Sequence, residues 1–417
     1  MAPAGDEEEL DRGASGAAHA SAAGPRKYEG RAPEVLAAFL KLGCSSFGGP
    51  IAHLGYFRAE LVERRRWLDD RAYGELVGLC QFLPGPASSQ VGFALGLMRA
   101  GPLGGLAAWA GFTLPSAVMM IGFALIATNL SGPIAAAAIH GLKIAAVAIV
   151  AQALVGMARA LTPDMTRVLM AAVAAAAMLA LGAPAAQIGL IGLGAIVGLV
   201  LCPPGIAGVQ HANGWSPSRR VGVICFATFG LLLLVLPLAG GSNDMLALGG
   251  VFYRAGAMVF GGGHVVLPLL HGGLVPQWMT DGAFLTGYGG AQAVPGPLFT
   301  LSAYLGAIAT PHAALGGAVL ALVAIFLPGL LLIAGALPFR AAITRHARAR
   351  SAIAGVNATV VGILAAALYD PLWITGITVP TDGLIALVGF ALLVAWRAPP
   401  LIIVLGSVGA AIGSALL

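Results

Sequence analysis

Two cations stand at matching places in two related apolar stretches of the chain. Lys41 precedes Phe47-Gly48-Gly49 by six residues, and Arg254 precedes Phe260-Gly261-Gly262 by the same distance. A helix that is broken at glycines and then restarts carries about +0.5 of an elementary charge on unsatisfied backbone N–H groups at its new start. Two cations and two such helix ends would offset a dianion, so these residues predict an anion-binding site.

A proline-rich break follows each of these stretches. Pro84-Gly85-Pro86 stands three residues after Gln81, and Pro295-Gly296-Pro297 stands three residues after Gln292. No straight helix accommodates this pattern, because proline removes a backbone donor. Amides and serine hydroxyls can donate hydrogen bonds to a tetrahedral oxyanion, although hydrogen bonding between helices is the alternative for each of them. The candidate substrate-binding residues are Lys41, Ser45, Ser46, Gly48, Gly49, Gln81, Pro84, Gly85, Pro86, Arg254, Gly261, Gly262, Gln292, Pro295, Gly296 and Pro297.

Three titratable side chains near the breaks are candidates for moving a proton together with the anion, namely His53, Glu75 and His264. Histidine titrates near neutral pH and can therefore take up and release a proton during a binding cycle. A role at a helix end is the alternative for the two histidines. Glu75 has Thr286 as its counterpart in the second half, so it can equally be a charge at the end of the arginine-rich segment 58–71. The cysteines lack metal-ligand or redox spacing, and we predict no metal, cofactor or catalytic motif.

The chain that must position these residues has the composition of a membrane protein. Of its 417 residues 59% are hydrophobic and 9% are charged, whereas a soluble domain carries about 25% charged residues. This composition excludes a soluble enzyme and a nucleic-acid-binding protein. Apolar segments follow one another from residue 34 onward, several near the ~20 residues that cross a bilayer as helix. We expect an all-α polytopic protein of the lipid bilayer, because helices satisfy their own backbone in lipid.

The chain is also duplicated. The two Phe-Gly-Gly and two Pro-Gly-Pro motifs lie in colinear stretches that share further matches, among them Gly43 with Gly256 and Gly141 with Gly355. We predict a disordered cytoplasmic N-terminus (1–33), a first repeat (34–202), a linker with one transmembrane helix (203–246) and a second repeat (247–417). Each repeat has an even number of apolar segments, so the single joining helix inverts the second repeat relative to the first, as in many secondary transporters.

The positions of the cations favour one membrane topology. If the first two segments of each repeat re-enter the membrane instead of crossing it, the loop and tail cations all fall on the cytoplasmic side. Only Lys41, Lys143 and Arg254 then remain at membrane depth. The broken helices therefore predict re-entrant segments, and full crossings remain the alternative. Gly194 and Gly198, in GxxxG spacing, predict a close helix contact.

The motifs resemble those of the chromate transporter family. The resemblance rests on Phe39-Leu-Lys-Leu-Gly-Cys-Ser-Ser-Phe-Gly-Gly-Pro50, on Gln81-Phe-Leu-Pro-Gly-Pro86 and on their second-half counterparts, and it covers nearly all of 34–417. It matches the long, two-domain members of that family. The chain departs from its own first-half pattern at Gly263, which replaces Pro50, and at Leu301, which replaces Gln90. The two halves therefore need not contribute equally to the site.

The resemblance implies a secondary active transporter that exports chromate across the bacterial plasma membrane and confers chromate resistance. The cation positions favour a multi-pass protein with a cytoplasmic N-terminus. The internal duplication allows a monomer without excluding a homodimer, and proton coupling is an option. An importer of sulfate or another oxyanion on the same scaffold is the first alternative, since both anions are tetrahedral dianions. A membrane-embedded chromate reductase is the second alternative.

Overall fold

The computed structural model describes residues 30–47, 49–127, 132–181, 184–203, 217–239, 244–260, 263–340 and 347–416. Most of the predicted N-terminal segment, residues 1–29, and the glycines Gly48, Gly261 and Gly262 lie outside the described residues. Within these ranges all regular secondary structure is helical. Five of the described helical stretches are long and apolar enough to cross a membrane: Ala87–Ala127, Pro133–Leu161, Arg219–Leu238, Pro311–Phe339 and Ala347–Gly376. The expectation of an all-α polytopic membrane protein is confirmed.

The first half begins with helices that end at the glycine and proline motifs. Helix α1 (Ala32–Ser45) ends at the first break, and α2 (Gly49–Phe57) restarts after it and continues as π-helical turns over Arg58–Arg64. The side chain of Asp69 caps α3 (Asp70–Phe82), which ends before Pro84-Gly85-Pro86. The half continues with α4 (Ala87–Ala127), α5 (Pro133–Leu161), α6 (Met165–Leu181) and α7 (Pro184–Leu201).

Helix α4 covers parts of two segments that the sequence suggested were separate, 72–98 and 104–128, and is interrupted between them. It starts after the proline-rich loop and kinks at Ala100 and Gly101, where Gly101 has φ +68°. Glycine adopts this left-handed conformation without the steric cost that a side chain would add. The backbone is therefore not helical at Ala100 and Gly101, and the two parts of α4 are separate helical stretches that pack on each other where Gly96 meets Gly104.

The second half repeats this order after the joining helix α8 (Arg219–Ala239). Its elements are α9 (Asp244–Ala257), α10 (Val266–Leu274), α11 (Asp281–Ala293), α12 (Leu301–Ala309), α13 (Ala314–Ala336), α14 (Ala347–Ala367), α15 (Pro380–Ala395) and α16 (Pro400–Leu416). The hydroxyl of Thr280 caps α11, as Asp69 caps α3. Leu234 and Leu238 of α8 are 70% and 83% exposed, as expected for a helix that faces lipid.

Matching helices of the two halves pack in matching ways. Helix α1 packs on α4 and α9 on α13, while α5 packs against α15 and α16 of the other half, and α14 against α6 and α7. Glycines allow the closest approaches. A Cβ on Gly141 of α5 would lie 2.7 Å from the Ser407 carbonyl oxygen, and one on Gly355 of α14 would lie 2.6 Å from the Cα of Gly198. The predicted close contact at the GxxxG motif is therefore present, and each half inserts one helix into the other.

Candidate functional site

The two breaks and the two proline-rich loops meet across the halves. The amide of Gly85 donates to the Val259 carbonyl at 2.7 Å, and the amide of Gly296 donates to the Ser46 carbonyl at 2.8 Å. Ser46 and Val259 are matching residues, each directly before a Phe-Gly-Gly motif. The loop of each half thus pairs with the break of the other, and we call this region the crossing.

The central glycines of the loops are required by their backbone and their surroundings. Gly85 has φ +126° and Gly296 has φ +95°, a range that residues with a side chain rarely adopt. A Cβ on Gly85 would lie 2.9 Å from the Cα of Gly329, and one on Gly296 would lie 2.8 Å from Ser116 Oγ. Glycine at these positions therefore allows the loops to approach the opposite half closely enough to form the two hydrogen bonds.

Gln90 ties one loop to the second half. Its Nε2 donates to the Pro84 carbonyl at 2.9 Å and to the Gly329 carbonyl at 3.1 Å. The matching residue Leu301 cannot make such bonds. The two loops therefore differ in how they are held, as the departure of Leu301 from Gln90 suggested in the sequence.

Buried polar atoms without a hydrogen-bond partner concentrate on the segments around the crossing. Buried polar groups in proteins are normally paired, so each unpaired one marks a place where another group can bind. Among the described residues these atoms include Ser46 Oγ, His53 Nε2, Ser89 Oγ, Gln90 Oε1, Thr113 Oγ1, Gln292 Nε2 and Ser302 Oγ. The region offers hydroxyl and amide donors to a polar guest.

The environment of Lys41 differs from the sequence expectation of an unpaired site cation. Its Nζ lies 2.8 Å from Oε2 of Glu60, a carboxylate whose side chain is 8% exposed and which also binds Arg64 and Arg65. Burial on its own would raise the pKa of Glu60, but the hydrogen bonds from Lys41, Arg65 and Arg64 lower it to about 2. Glu60 was not among the predicted site residues, and the only signal for it was an acid inside the arginine-rich segment.

Arg254, the counterpart of Lys41, has no such carboxylate. It is half-buried, and its Nε donates to the Gly250 carbonyl at 3.3 Å. Within the described part of the chain no Asp or Glu forms an ion pair with it. Of the two matching cations, Arg254 therefore keeps more of its charge for an incoming anion.

The remaining predicted residues divide between the crossing and the surface. Ser46 is fully buried and takes part in the crossing through its carbonyl, whereas Ser45 is exposed and donates to the Lys41 carbonyl at 2.8 Å. Gln81 is exposed and Gln292 is half-buried, so this matched pair does not share one environment. Gly49 begins α2 with φ +80°.

The candidate proton carriers also occupy different surroundings. His53 is 1% exposed, with its Nδ1 3.4 Å from Ser88 Oγ and its ring edge-to-face on Phe112, beside the Gly296 loop. His264 Nδ1 lies 2.7 Å from the Tyr288 hydroxyl oxygen. Glu75 lies half-buried on α3. Of these three, His53 is the one whose contacts with Ser88 and Phe112 place it beside the crossing.

Two further histidines each form a pair with an aspartate. His140 Nε2 lies 3.0 Å from Asp382 Oδ2, and His271 Nε2 lies 2.6 Å from Asp281 Oδ1. Lys143 Nζ lies next to Gly282, 3.2 Å from the place of a Cβ there. Asp281 and Asp382 belong to segments that the predicted topology puts on the outer side. The structure brings Lys143, which that topology puts at membrane depth, close to Asp281.

Comparisons with known proteins agree with the motifs. The family profile described as Chromate transporter matches residues 33–199 and 246–413. A Chromate transport protein of Pseudomonas aeruginosa is 29% identical over 376 residues, covering 88% of each chain. A Probable chromate transport protein of Synechococcus elongatus is 30% identical over 335 residues, covering 79% of this chain and 82% of the relative. A Chromate transport protein of Cupriavidus metallidurans is 26% identical over 374 residues. No solved structure matches the chain.

Proposed function

This chain belongs to the chromate transporter family, and we propose that it exports chromate across the bacterial plasma membrane. In this proposal it works as a secondary active transporter and confers chromate resistance. The relatives bear the name of chromate transport proteins, which supports chromate as the substrate. Chromate is a tetrahedral dianion, so the site must supply positive charge and several hydrogen-bond donors at one place.

The single observation that carries the proposal is the crossing of the two halves. Two irregular loops meet two helix breaks through the Gly85–Val259 and Gly296–Ser46 hydrogen bonds. Helix α4 starts directly after one loop, and its first turn contributes the unpaired Ser89 hydroxyl. A helix start attracts anions through its free N–H groups and its dipole, and irregular backbone at membrane depth is tolerated where it lines a site.

The positions of Arg254 and His53 support anion binding and proton exchange near the two breaks. Arg254 is half-buried without a carboxylate partner among the described residues, so its charge is available to a dianion near the second break. His53 at the first break supplies a group that can exchange a proton as the anion binds and leaves. We therefore assign the coupling role first to His53, with His264 and Glu75 as the other candidates.

The packing supports an inverted arrangement of the repeats. Matching helices make matching contacts, and α5 and α14 each insert between the last two helices of the other half. The joining helix α8 provides the odd crossing that inversion requires. In the resulting topology the N-terminus is cytoplasmic, Asp281 and Asp382 are external, and the crossing lies near mid-membrane.

A flux measurement in everted membrane vesicles tests this function. Vesicles from cells that express the protein should accumulate labelled chromate when energised, and a proton ionophore should abolish the accumulation. Vesicles without the protein are the control. Uptake that needs no energy, or uptake equal to the control, would contradict secondary active export.

The same vesicles separate the rival functions. Sulfate fits the same site chemistry, so an importer of sulfate predicts labelled sulfate flux into right-side-out vesicles and none of chromate into everted ones. A chromate reductase predicts loss of the chromate absorbance without compartmental accumulation. Measuring the oxidation state of the accumulated chromium distinguishes transport from reduction.

A further inference from the structure

A cavity of about 770 Å³ opens beside the first break. Phe47, which precedes Gly48, lines it, together with Tyr56 of α2, Gln152 of α5 and the segment that joins α15 to α16. None of the site residues predicted from the sequence is among the described residues that line this cavity. It connects the surface of the protein with a residue of the break that forms the crossing.

Two arginines give the cavity its charge. Arg159 stands in the last turn of α5 and Arg397 stands between α15 and α16, and both line the cavity with exposed side chains. The lining contains no Asp or Glu among the described residues, and neither arginine forms an ion pair with a described carboxylate. Two uncompensated guanidinium groups at the mouth of one concave surface raise the local concentration of anions.

The charge is present on only one of the two related surfaces. By the matches of Gly141 with Gly355 and of Pro184 with Pro399, the counterpart of Arg159 is Trp373 and the counterpart of Arg397 is Gly182. If the repeats are inverted, the matching surface at the second break faces the other side of the membrane without these cations. The arginines therefore mark one side of the protein, which is the cytoplasmic side in the proposed topology.

We propose that this cavity captures the tetrahedral oxyanion from the cytoplasm before it reaches the crossing. The inference rests on the proposed function, because it names the entry site of that transporter. Arginine suits the role, since its planar guanidinium pairs with oxyanions through two parallel hydrogen bonds. The phosphate of an anionic lipid offers the same chemistry, so the test must separate a dissolved anion from a lipid headgroup.

The test compares the wild type with a double variant that carries both Arg159→Gln and Arg397→Gln. In everted vesicles, where the cytoplasmic face is outside, the chromate concentration for half-maximal flux should rise about tenfold while the maximal flux changes by less than twofold. The double Lys variant should restore most of the affinity, because it keeps the charge. Arg220→Gln, an exposed arginine of α8 that does not line the cavity, is the matched control and should behave as wild type.

Binding of labelled chromate in lipid nanodiscs identifies the ligand. We expect the variant to bind more weakly than wild type both in neutral phosphatidylcholine and in a mixture with phosphatidylglycerol. A difference confined to the anionic mixture would assign the cavity to a lipid headgroup and overturn the inference. An unchanged chromate concentration for half-maximal flux in the double variant would also overturn the inference. The proposed function would stand as long as the wild type transports chromate. A wild type that transports no chromate would overturn both.

Discussion

The amide nitrogen of Gly296 lies 2.8 Å from the carbonyl oxygen of Ser46, 250 positions earlier in the chain. Ser46 is the last residue before the first Phe-Gly-Gly motif, and Gly296 is the middle of the second proline-rich loop. The bond between Gly85 and Val259 reproduces this contact with the halves exchanged. Backbone groups that leave their own helix at a break are therefore paired by the opposite half, as a lipid environment requires of irregular backbone.

Alanine at either loop glycine should abolish transport. Gly85→Ala and Gly296→Ala each place a side chain at positive φ, at a cost of about 1 kcal/mol or more, and each adds a contact below 3.0 Å with the other half. We expect at least a tenfold loss of chromate flux in vesicles. Gly122→Ala of α4 is the control, because a Cβ there meets nothing within 4 Å. Normal flux in both loop variants would mean that the close approach is not needed.

Arg254→Ala should lower chromate flux more than Lys41→Ala. Lys41 already pairs with the carboxylate of Glu60, whereas Arg254 is half-buried and its Nε donates to the Gly250 carbonyl. We expect a loss of about tenfold or more for Arg254→Ala, a smaller loss for Arg254→Lys, and protein levels in the membrane equal to wild type. The reverse order of the two alanine variants would show that Lys41 carries the anion despite its ion pair.

Glu60→Gln should destabilise the protein without altering how its stability depends on pH near neutrality. The change removes the partner of Lys41, Arg64 and Arg65 and should cost about 1–2 kcal/mol. This is less than for a fully buried pair, because Lys41 and Arg64 are 54% and 63% exposed. The folded pKa of about 2 lies below the ordinary value for glutamate. The stabilisation is therefore complete above about pH 5 and disappears only as the pH falls toward 2.

Thermal unfolding in detergent between pH 5 and 8 measures this difference. Glu63→Gln is the control, since Glu63 pairs with Arg58 at an exposed position where both side chains are about half exposed. A gap between wild type and Glu60→Gln that shrinks across this pH range would contradict a permanently ionised Glu60.

Gly355→Ala should loosen the contact between the halves. A Cβ at this position would lie 2.6 Å from the Cα of Gly198 on α7, and overpacking of this kind costs about 1–3 kcal/mol. We expect a lower unfolding temperature in detergent and reduced flux. Gly409→Ala of α16, where a Cβ meets nothing within 4 Å, should leave both unchanged. Equal unfolding temperatures for the two variants would contradict the close helix approach.

The sequence predicts the helices of this protein and their interruptions better than it predicts which segments contact each other. Hydropathy and the proline motifs locate the helices and their interruptions, because each depends on residues that are neighbours in the chain. The spacing of Gly194 and Gly198 even indicates where helices touch. The pairing of Ser46 with Gly296 could not be predicted, since a backbone hydrogen bond between distant segments leaves no residue-type signal.

The side-chain environments of matched residues were equally hidden. Lys41 and Arg254 look equivalent in the alignment of the halves, yet of the two only Lys41 pairs with Glu60. The second half has Gly273 at the position that corresponds to Glu60. Gln81 and Gln292 likewise separate into an exposed and a half-buried residue. Duplication preserves the order of helices and breaks in the two halves. Single substitutions near a matched residue then decide whether its side chain is exposed, buried or paired with a charge.

The insertion of α5 and α14 into opposite halves has a consequence for biosynthesis. The partners of α5, helices α15 and α16, follow every other described helix in the chain and are synthesised after them. The Gly141 face of α5 therefore stays uncovered until α15 and α16 have been synthesised. A truncation that removes α15 and α16 leaves α5 without the helices against which it packs.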